Sequence, residues 1–343
     1  MVMFDIINYE ELKKEYFSIY RYKTLSECLN HYVMVFGEYG NIPEFKPIYY
    51  NLQRIVNQLL EAEEFFKLGF IGRCYNNIFS LLFDKDGLLY SNLIVNKNKI
   101  RPCPVFYRMR EMDTFYLLKK EEMLHIPFNK RDKVGNQRFS LSGFPCLYLG
   151  SSAYLCWEEL NRPNHLKANV SAFIAEKDIR FIDLTFPDRL EKEIDVYKLA
   201  LVFACSLKRQ TVNHRIFKEE YIIPQALLHS LMEYNYNNRQ NTIDGILYIS
   251  TCYKTEHAIF DDIKLFYNLV IPTQQYKSKS VDLEKEYCEE LCSLFQYTEP
   301  ISINQLQINQ PAFIRRNREN DECNYHLSDF WLLECDLQYM LKQ

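Results

Sequence analysis

Apolar residues recur at i, i+3 and i+4 through two N-terminal stretches, 10–36 and 48–83; Leu52, Ile55, Val56, Leu59 and Leu60 form one such stripe. That period turns one face of a helix toward a core. Pro43 and Pro47 punctuate the join, and Asp84-Lys85-Asp86-Gly87 reads as a stop and turn. The spacing predicts an α-helical N-terminal domain over residues 1–98, with a boundary at Asn96-Lys97-Asn98-Lys99 ahead of Pro102 and Pro104.

Beyond that boundary the pattern changes. Short runs rich in β-branched and aromatic residues predict strands at 145–150, 170–175, 180–185, 245–250 and 264–271, with Val105-Phe106-Tyr107-Arg108 as another. Helical spacing returns at 152–161, 190–209, 223–234, 282–295 and 326–341. Strands and helices mix without strict βαβ alternation, so the class expected is α+β with a mixed β-sheet core. The central domain spans 99–275, and a mainly helical extension covers 276–343.

Composition narrows the chemistry. The chain has 343 residues, 48% of them hydrophobic, which is ample for a core. Only nine are glycine, well under half the usual share of about 7%. Neither G-x-G-x-x-G nor G-x-x-x-x-G-K-[ST] occurs, so a nucleotide site cradled by bare backbone is not expected. Gly135, Gly143 and Gly150 fall within sixteen residues and direct attention to that segment.

The formal charge is −4, and no run of five basic residues occurs. Arg315-Arg316-Asn317-Arg318 reads as a solvated loop, and no direct nucleic-acid binding is expected. Eleven cysteines without a repeating spacing read as reduced, buried thiols. Cys288 and Cys292 stand i,i+4 on a predicted helix without the further ligands a zinc site needs, so no metal is expected. His214, His229 and His257 have no ligand spacing either. The N-terminus lacks a signal-peptide pattern, and no apolar stretch approaches the roughly 18 residues of a span. A cytoplasmic protein without membrane contact is expected.

The chemistry concentrates in residues 105–160. A strand ending at Arg108 is followed by Gly135-Asn136-Gln137-Arg138-Phe139-Ser140-Leu141-Ser142-Gly143. Next come a strand through Tyr148 to Gly150 and a helix 153–160, with Ser151 or Ser152 as its N-cap. Arginines grip phosphates with a rigid fork, a tyrosine ring stacks on a flat heterocycle, and a carboxylate stabilises a sugar oxocarbenium ion. Together these suit a nucleotide sugar whose glycosidic bond is broken. Taken singly, each residue has a plainer reading. Tyr148 would be packing, and Glu158 and Glu159 would be the wet face of a helix whose apolar stripe is Ala153, Cys156, Trp157 and Leu160.

The segment resembles the RES-domain family through Tyr107-Arg108, Arg138-Phe139-Ser140-x-x-Gly143, Tyr148-Leu149-Gly150-Ser151-Ser152 and Glu159-Leu160. Asp244-Gly245-Ile246-Leu247-Tyr248-Ile249-Ser250 is similar to a later family strand that ends in a small hydroxyl residue. The resemblance covers about residues 103–272. It implies an ADP-ribosyltransferase-like fold and an enzyme that consumes NAD as substrate, by hydrolysis or phosphorolysis, as the toxin of a bacterial toxin–antitoxin or defence system. It also implies a helix-turn-helix antitoxin or another inhibitory protein as partner, and it leaves room for a homo-oligomer. By the same resemblance Glu159 is the catalytic carboxylate, with Arg108 and Arg138 on the pyrophosphate and nicotinamide ribose and Tyr148 on the nicotinamide. Ser140 stands where the family usually has Asn, and Ile222 where some members have the serine. Either Ser250 serves as that serine, or Gln225 takes part, or the triad is incomplete. The alternatives in function are ADP-ribose transfer to a protein or nucleic acid, and a degraded module that only binds or regulates. RNA-cleaving helical bundles sometimes joined to such domains need Arg followed closely by His. Residues 1–98 lack that pair, Arg21 and His31 being too far apart, so a docking, oligomerisation or autoinhibitory role is expected there.

Overall fold

The computed structural model describes residues 4, 7–12, 22–83, 93–96, 105–112, 118–208, 210, 217–252, 266–273, 286–303 and 325–343. The expected turn at 84–87, the boundary prolines, His214, His257 and the basic run at 315–318 lie outside the described residues. In chain order the helices are α1 Leu25–Gly37, α2 Lys46–Lys67, α3 Ile71–Phe83, α4 Ala153–Glu159, α5 Glu193–Cys205, α6 Ile222–Asn237, α7 Glu289–Cys292 and α8 Asp329–Met340. The strands are β1 Ile94–Asn96, β2 Val105–Glu111, β3 Cys146–Gly150, β4 Ala168–Ala175, β5 Arg180–Leu184, β6 Gly245–Ile249, β7 Tyr267–Pro272, β8 Phe295–Tyr297 and β9 Ile301–Ser302.

The class is α+β, with helices at the N-terminus and both parallel and antiparallel strand pairing. Three helical expectations need correction. The stretch 10–36 is interrupted before α1, where Thr24 accepts from the Glu27 amide and Glu27 reaches back, a capping box that starts a new helix. The stretch 48–83 breaks between Lys67 and Ile71, because Gly69 adopts φ +83°, a left-handed turn that glycine enters without steric cost. Of the helix expected over 282–295, the described part keeps only Glu289–Cys292; Cys288 caps it and Phe295 already belongs to β8.

The chain forms two compact units interleaved in sequence, one of residues 1–95, 134–144 and 181–251, the other of 96–133, 145–180 and 252–343. In the first, α1 and α2 pack on α5, and α3 packs on α6. Tyr32 ties α1 to α5 by donating to the Val196 carbonyl at 2.9 Å, with its ring edge-on to Phe203. Phe83 stacks on Tyr234 at 4.5 Å and Tyr75 on His229 at 4.2 Å, joining α3 to α6. The N-terminal helices therefore bury their apolar stripes against helices from beyond residue 181. In this unit β5 pairs in parallel with β6, from Phe181 opposite Gly245 to Leu184 opposite Tyr248.

The second unit is an antiparallel sheet in the order β7-β3-β2-β4-β8, with β9 also on β4. The β2–β4 ladder runs from Val105–Ile174 to Glu111–Ala168 and the β3–β7 ladder from Cys146–Pro272 to Gly150–Asn268, whereas β2 and β3 meet only at Tyr107–Gly150. Beyond that pair the two ladders diverge. α4 packs on β2 and β3, and α8 packs on α4 and β4. No described helix is long and apolar enough to cross a membrane.

Candidate functional site

The turn from β3 into α4 is pinned from both sides. Ser151 and Tyr267 exchange two bonds, the Ser151 amide to the Tyr267 carbonyl at 2.8 Å and the Tyr267 amide to Ser151 Oγ at 2.9 Å. Ser152 is the N-cap, its Oγ accepting from the Leu155 amide at 3.0 Å. Gly150 is a glycine for reasons of space: a Cβ there would lie 2.7 Å from Cys156 Sγ and 3.3 Å from the Ser152 carbonyl oxygen. Its missing side chain lets α4 sit directly on the strand.

α4 ends in two carboxylates with different surroundings. Glu158, expected on the wet face, is buried; it accepts from Tyr154 Oη at 2.6 Å and from Arg162 Nη2 at 2.8 Å. Glu159 is exposed, and its Oε1 accepts from Asn268 Nδ2 at 2.6 Å. Asn268 stands opposite Gly150 in the β3–β7 ladder, so the strand register carries its amide to the end of α4.

Arg108 sits where β2 and β3 part. Its Nη1 donates to the Tyr148 carbonyl at 2.8 Å, a side chain taking an acceptor that no β2 amide reaches. Its Nε is buried without a hydrogen-bond partner, and no described carboxylate pairs with it. Burial first, then the nearby Arg110, holds its pKa down to about 9. Beside it the Cys156 thiol is pushed up to about 12, chiefly by burial; Glu334 and Glu159 push the same way and Arg108 opposes them. The Cys156 thiol thus feels both Arg108 and Glu159. The second unit gathers Arg108, the Tyr148 backbone and Glu159 around β3 and α4.

The other motif residues belong to the first unit. Arg138 is buried on a tight turn whose Gln137 and Ser140 exchange backbone bonds. Its guanidinium donates to the Cys205 carbonyl at 2.8 Å and the Leu207 carbonyl at 2.9 Å, also meets Thr251 Oγ1 at 3.3 Å, and lies over the Tyr221 ring. These bonds close the carboxyl end of α5. Gln225, on α6, donates to Asn136 Oδ1, to the Gln137 carbonyl at 2.9 Å and to the Ser140 carbonyl at 3.2 Å. It holds the Arg138 turn from beneath. Ser140 and Ser250 are both buried, Ser250 directly after β6.

Two residues escaped the sequence reading. Asn268 gave a signal in retrospect, being an amide directly before the apolar run Leu269-Val270-Ile271, in a strand buried along its whole length. His125 gave none. It is fully buried, its Nδ1 bonded to the Ile126 carbonyl at 2.7 Å and its Nε2 accepting from the Cys288 amide at 2.9 Å. Burial holds its pKa down to about 4, so the ring is neutral and structural. No described group of three His, Cys, Asp or Glu residues could hold a metal.

Comparison with known proteins matches the RES domain over residues 114–278. A relative from Bacillus subtilis (strain 168), named "Putative toxin YopC", is 32% identical, and the matched region covers 83% of this chain and 68% of that protein. The chain belongs to the RES-domain family. No solved structure matches it. Within this RES-domain protein the matched segment begins after β2, so Arg108 precedes it, while Arg138, Tyr148, Glu159, Gln225, Ser250 and Asn268 fall inside.

Proposed function

We propose that this chain is an NAD-consuming enzyme, a glycohydrolase or phosphorylase with an ADP-ribosyltransferase-like catalytic core, acting as the toxin of a bacterial toxin–antitoxin or defence system. The observation that carries the reading is Glu159: an exposed carboxylate at the end of a pinned helix, with the half-buried guanidinium of Arg108, whose Nε is buried and which no described carboxylate pairs, in the same unit. Membership of the RES-domain family and the printed name of the relative support the toxin role.

In this reading Glu159 hydrogen-bonds the nicotinamide ribose. The bond from ribose C1 to the nicotinamide nitrogen breaks, its electron pair leaves with nicotinamide, and Glu159 stabilises the positive charge left on the sugar. Water or phosphate then attacks C1, giving ADP-ribose and a proton or the 1-phosphate. Arg108 supplies a fixed positive charge for the phosphates, and Tyr148 a stacking face for the leaving ring. Arg138 and Gln225 contribute by building their turn. In this reading the inhibitory partner is a helix-turn-helix antitoxin or another inhibitory protein.

Purified protein incubated with NAD should release nicotinamide, and Glu159→Gln should lower that turnover by about 10²–10⁴-fold. Absence of nicotinamide from the wild type, with and without phosphate, overturns the assignment in favour of a binding module. The full engagement of Arg138 by backbone carbonyls is the observation that favours that second reading.

A further inference from the structure

We propose that Asn268 is a positioning residue for Glu159, the buried amide that fixes the orientation of the catalytic carboxylate and leaves its charge intact. The inference rests on the role just given to Glu159.

The two residues differ in the way a positioner and its client should. Asn268 is 7% exposed and belongs to a strand buried at every position, whereas Glu159 is exposed at the end of a short helix. Asn is disfavoured in strands, and an amide in an apolar interior is costly unless its polar atoms are satisfied. Glu159 Oε1 satisfies the Nδ2 donor at 2.6 Å.

The anchor is stiff at both ends. Asn268 pairs with Gly150 in the β3–β7 ladder, and its neighbour Tyr267 makes the reciprocal bonds with Ser151 that start α4. The absence of a side chain at Gly150 seats α4 close to the strand. One strand thus supports both the start of the helix and the carboxylate at its end, which is how a supporting shell limits a reactive group to a narrow range of positions.

The chemistry of the partner matters as much as its position. An amide donates a hydrogen bond without bringing a positive charge. Glu158, one residue earlier, is held by the guanidinium of Arg162 and has its charge countered. Asn268 thus orients a carboxylate that must stabilise a developing oxocarbenium ion without adding a positive charge of its own.

The test compares wild type with Asn268→Asp, which keeps the shape but replaces the neutral donor by a second carboxylate beside Glu159, and Asn268→Leu, which is apolar and of similar size and removes the donor without adding charge. Thermal melts establish that each folds. Nicotinamide release should show kcat reduced about 10- to 100-fold with KM little changed, the loss expected for one charge-assisted hydrogen bond. The carboxyl carbon resonance of Glu159, followed by NMR in selectively labelled protein, should change its chemical shift on substitution without any need for turnover. Unchanged kcat and an unchanged resonance in a folded variant overturn the proposal. A wild type silent toward NAD whose Glu159 resonance still shifts on substitution overturns the NAD reading and supports the grip of Asn268 on Glu159.

Discussion

Glu158 and Glu159 are consecutive on α4 and face opposite circumstances, the first buried between Tyr154 and Arg162, the second exposed and held by Asn268. Arg162 can reach Glu158 because the chain leaves the helix through two left-handed residues, Asn161 at φ 58° and Arg162 at φ 59°. Such backbone is costly for residues with a Cβ, and the ion pair helps to hold it. Replacing Glu158 should therefore affect stability and replacing Glu159 should affect turnover. Because Arg162 is half exposed, its share is discounted, and Glu158→Ala should cost about 1–2 kcal/mol, read as a lower urea midpoint. Glu159→Gln should leave that midpoint unchanged. A large midpoint shift for Glu159→Gln would put both carboxylates in the framework.

Arg138 should behave as a framework residue. Its removal leaves the Cys205 and Leu207 carbonyls without their donor at the end of α5. Arg138→Met should cost about 2–4 kcal/mol, since charged hydrogen bonds to buried acceptors are lost. Each kcal/mol lowers Tm by roughly 1–2 °C in a chain of 343 residues. Calorimetry checks this directly. An unchanged Tm with a raised KM for NAD would return Arg138 to the phosphate.

The strand–turn–helix of residues 146–159 was legible in sequence because its determinants are local: a glycine at the strand end, a serine cap, and an apolar stripe through Ala153 and Trp157. The capping box Thr24-Leu25-Ser26-Glu27 is equally local, yet the apolar period runs on through it and hides the helix start it makes. The environment of Glu159 was not legible, since its partner Asn268 lies 109 residues away and is brought over only by the register of β7 on β3. Nor could spacing separate Glu158 from Glu159. Both lie off the apolar stripe, and the arginine that pairs with Glu158 comes from the loop that follows. Arg138 was legible as a motif residue, but its bonds to α5 depend on tertiary placement that no local pattern encodes.

His125 gives the fold a dependence on pH. The ring has a pKa near 6.5 in the unfolded chain and about 4 when buried, so it is neutral in both states above the higher value and contributes nothing to the slope there. As pH falls from 6.5 toward 4 the unfolded chain takes up the proton and the folded one does not, so stability is lost across that window. The loss amounts to about 3 kcal/mol when complete. Urea unfolding at pH 7 and pH 4.5 should show it in the wild type and a smaller decline in His125→Gln. Parallel declines in the two proteins would assign the acid sensitivity to other groups.

The contact between Gly150 and Cys156 links stability to the position of the carboxylate. A Cβ on residue 150 would meet Cys156 Sγ at 2.7 Å, closer than atoms in a packed interior approach, and the backbone oxygen of Ser152 at 3.3 Å. Gly150→Ala must therefore lift α4 or displace the thiol, at about 1–3 kcal/mol. Lifting α4 also draws Glu159 away from Asn268, so turnover should fall more than stability alone would require. The thiol is the nearer obstacle, and Cys156→Ala removes it while leaving the cap at Ser152 in place. The double variant Gly150→Ala/Cys156→Ala should recover part of the stability and turnover lost in Gly150→Ala, a favourable coupling expected of residues in direct contact. Strict additivity in this double-mutant cycle would mean that the backbone of Ser152, and not the sulfur, sets the height of the helix above the strand.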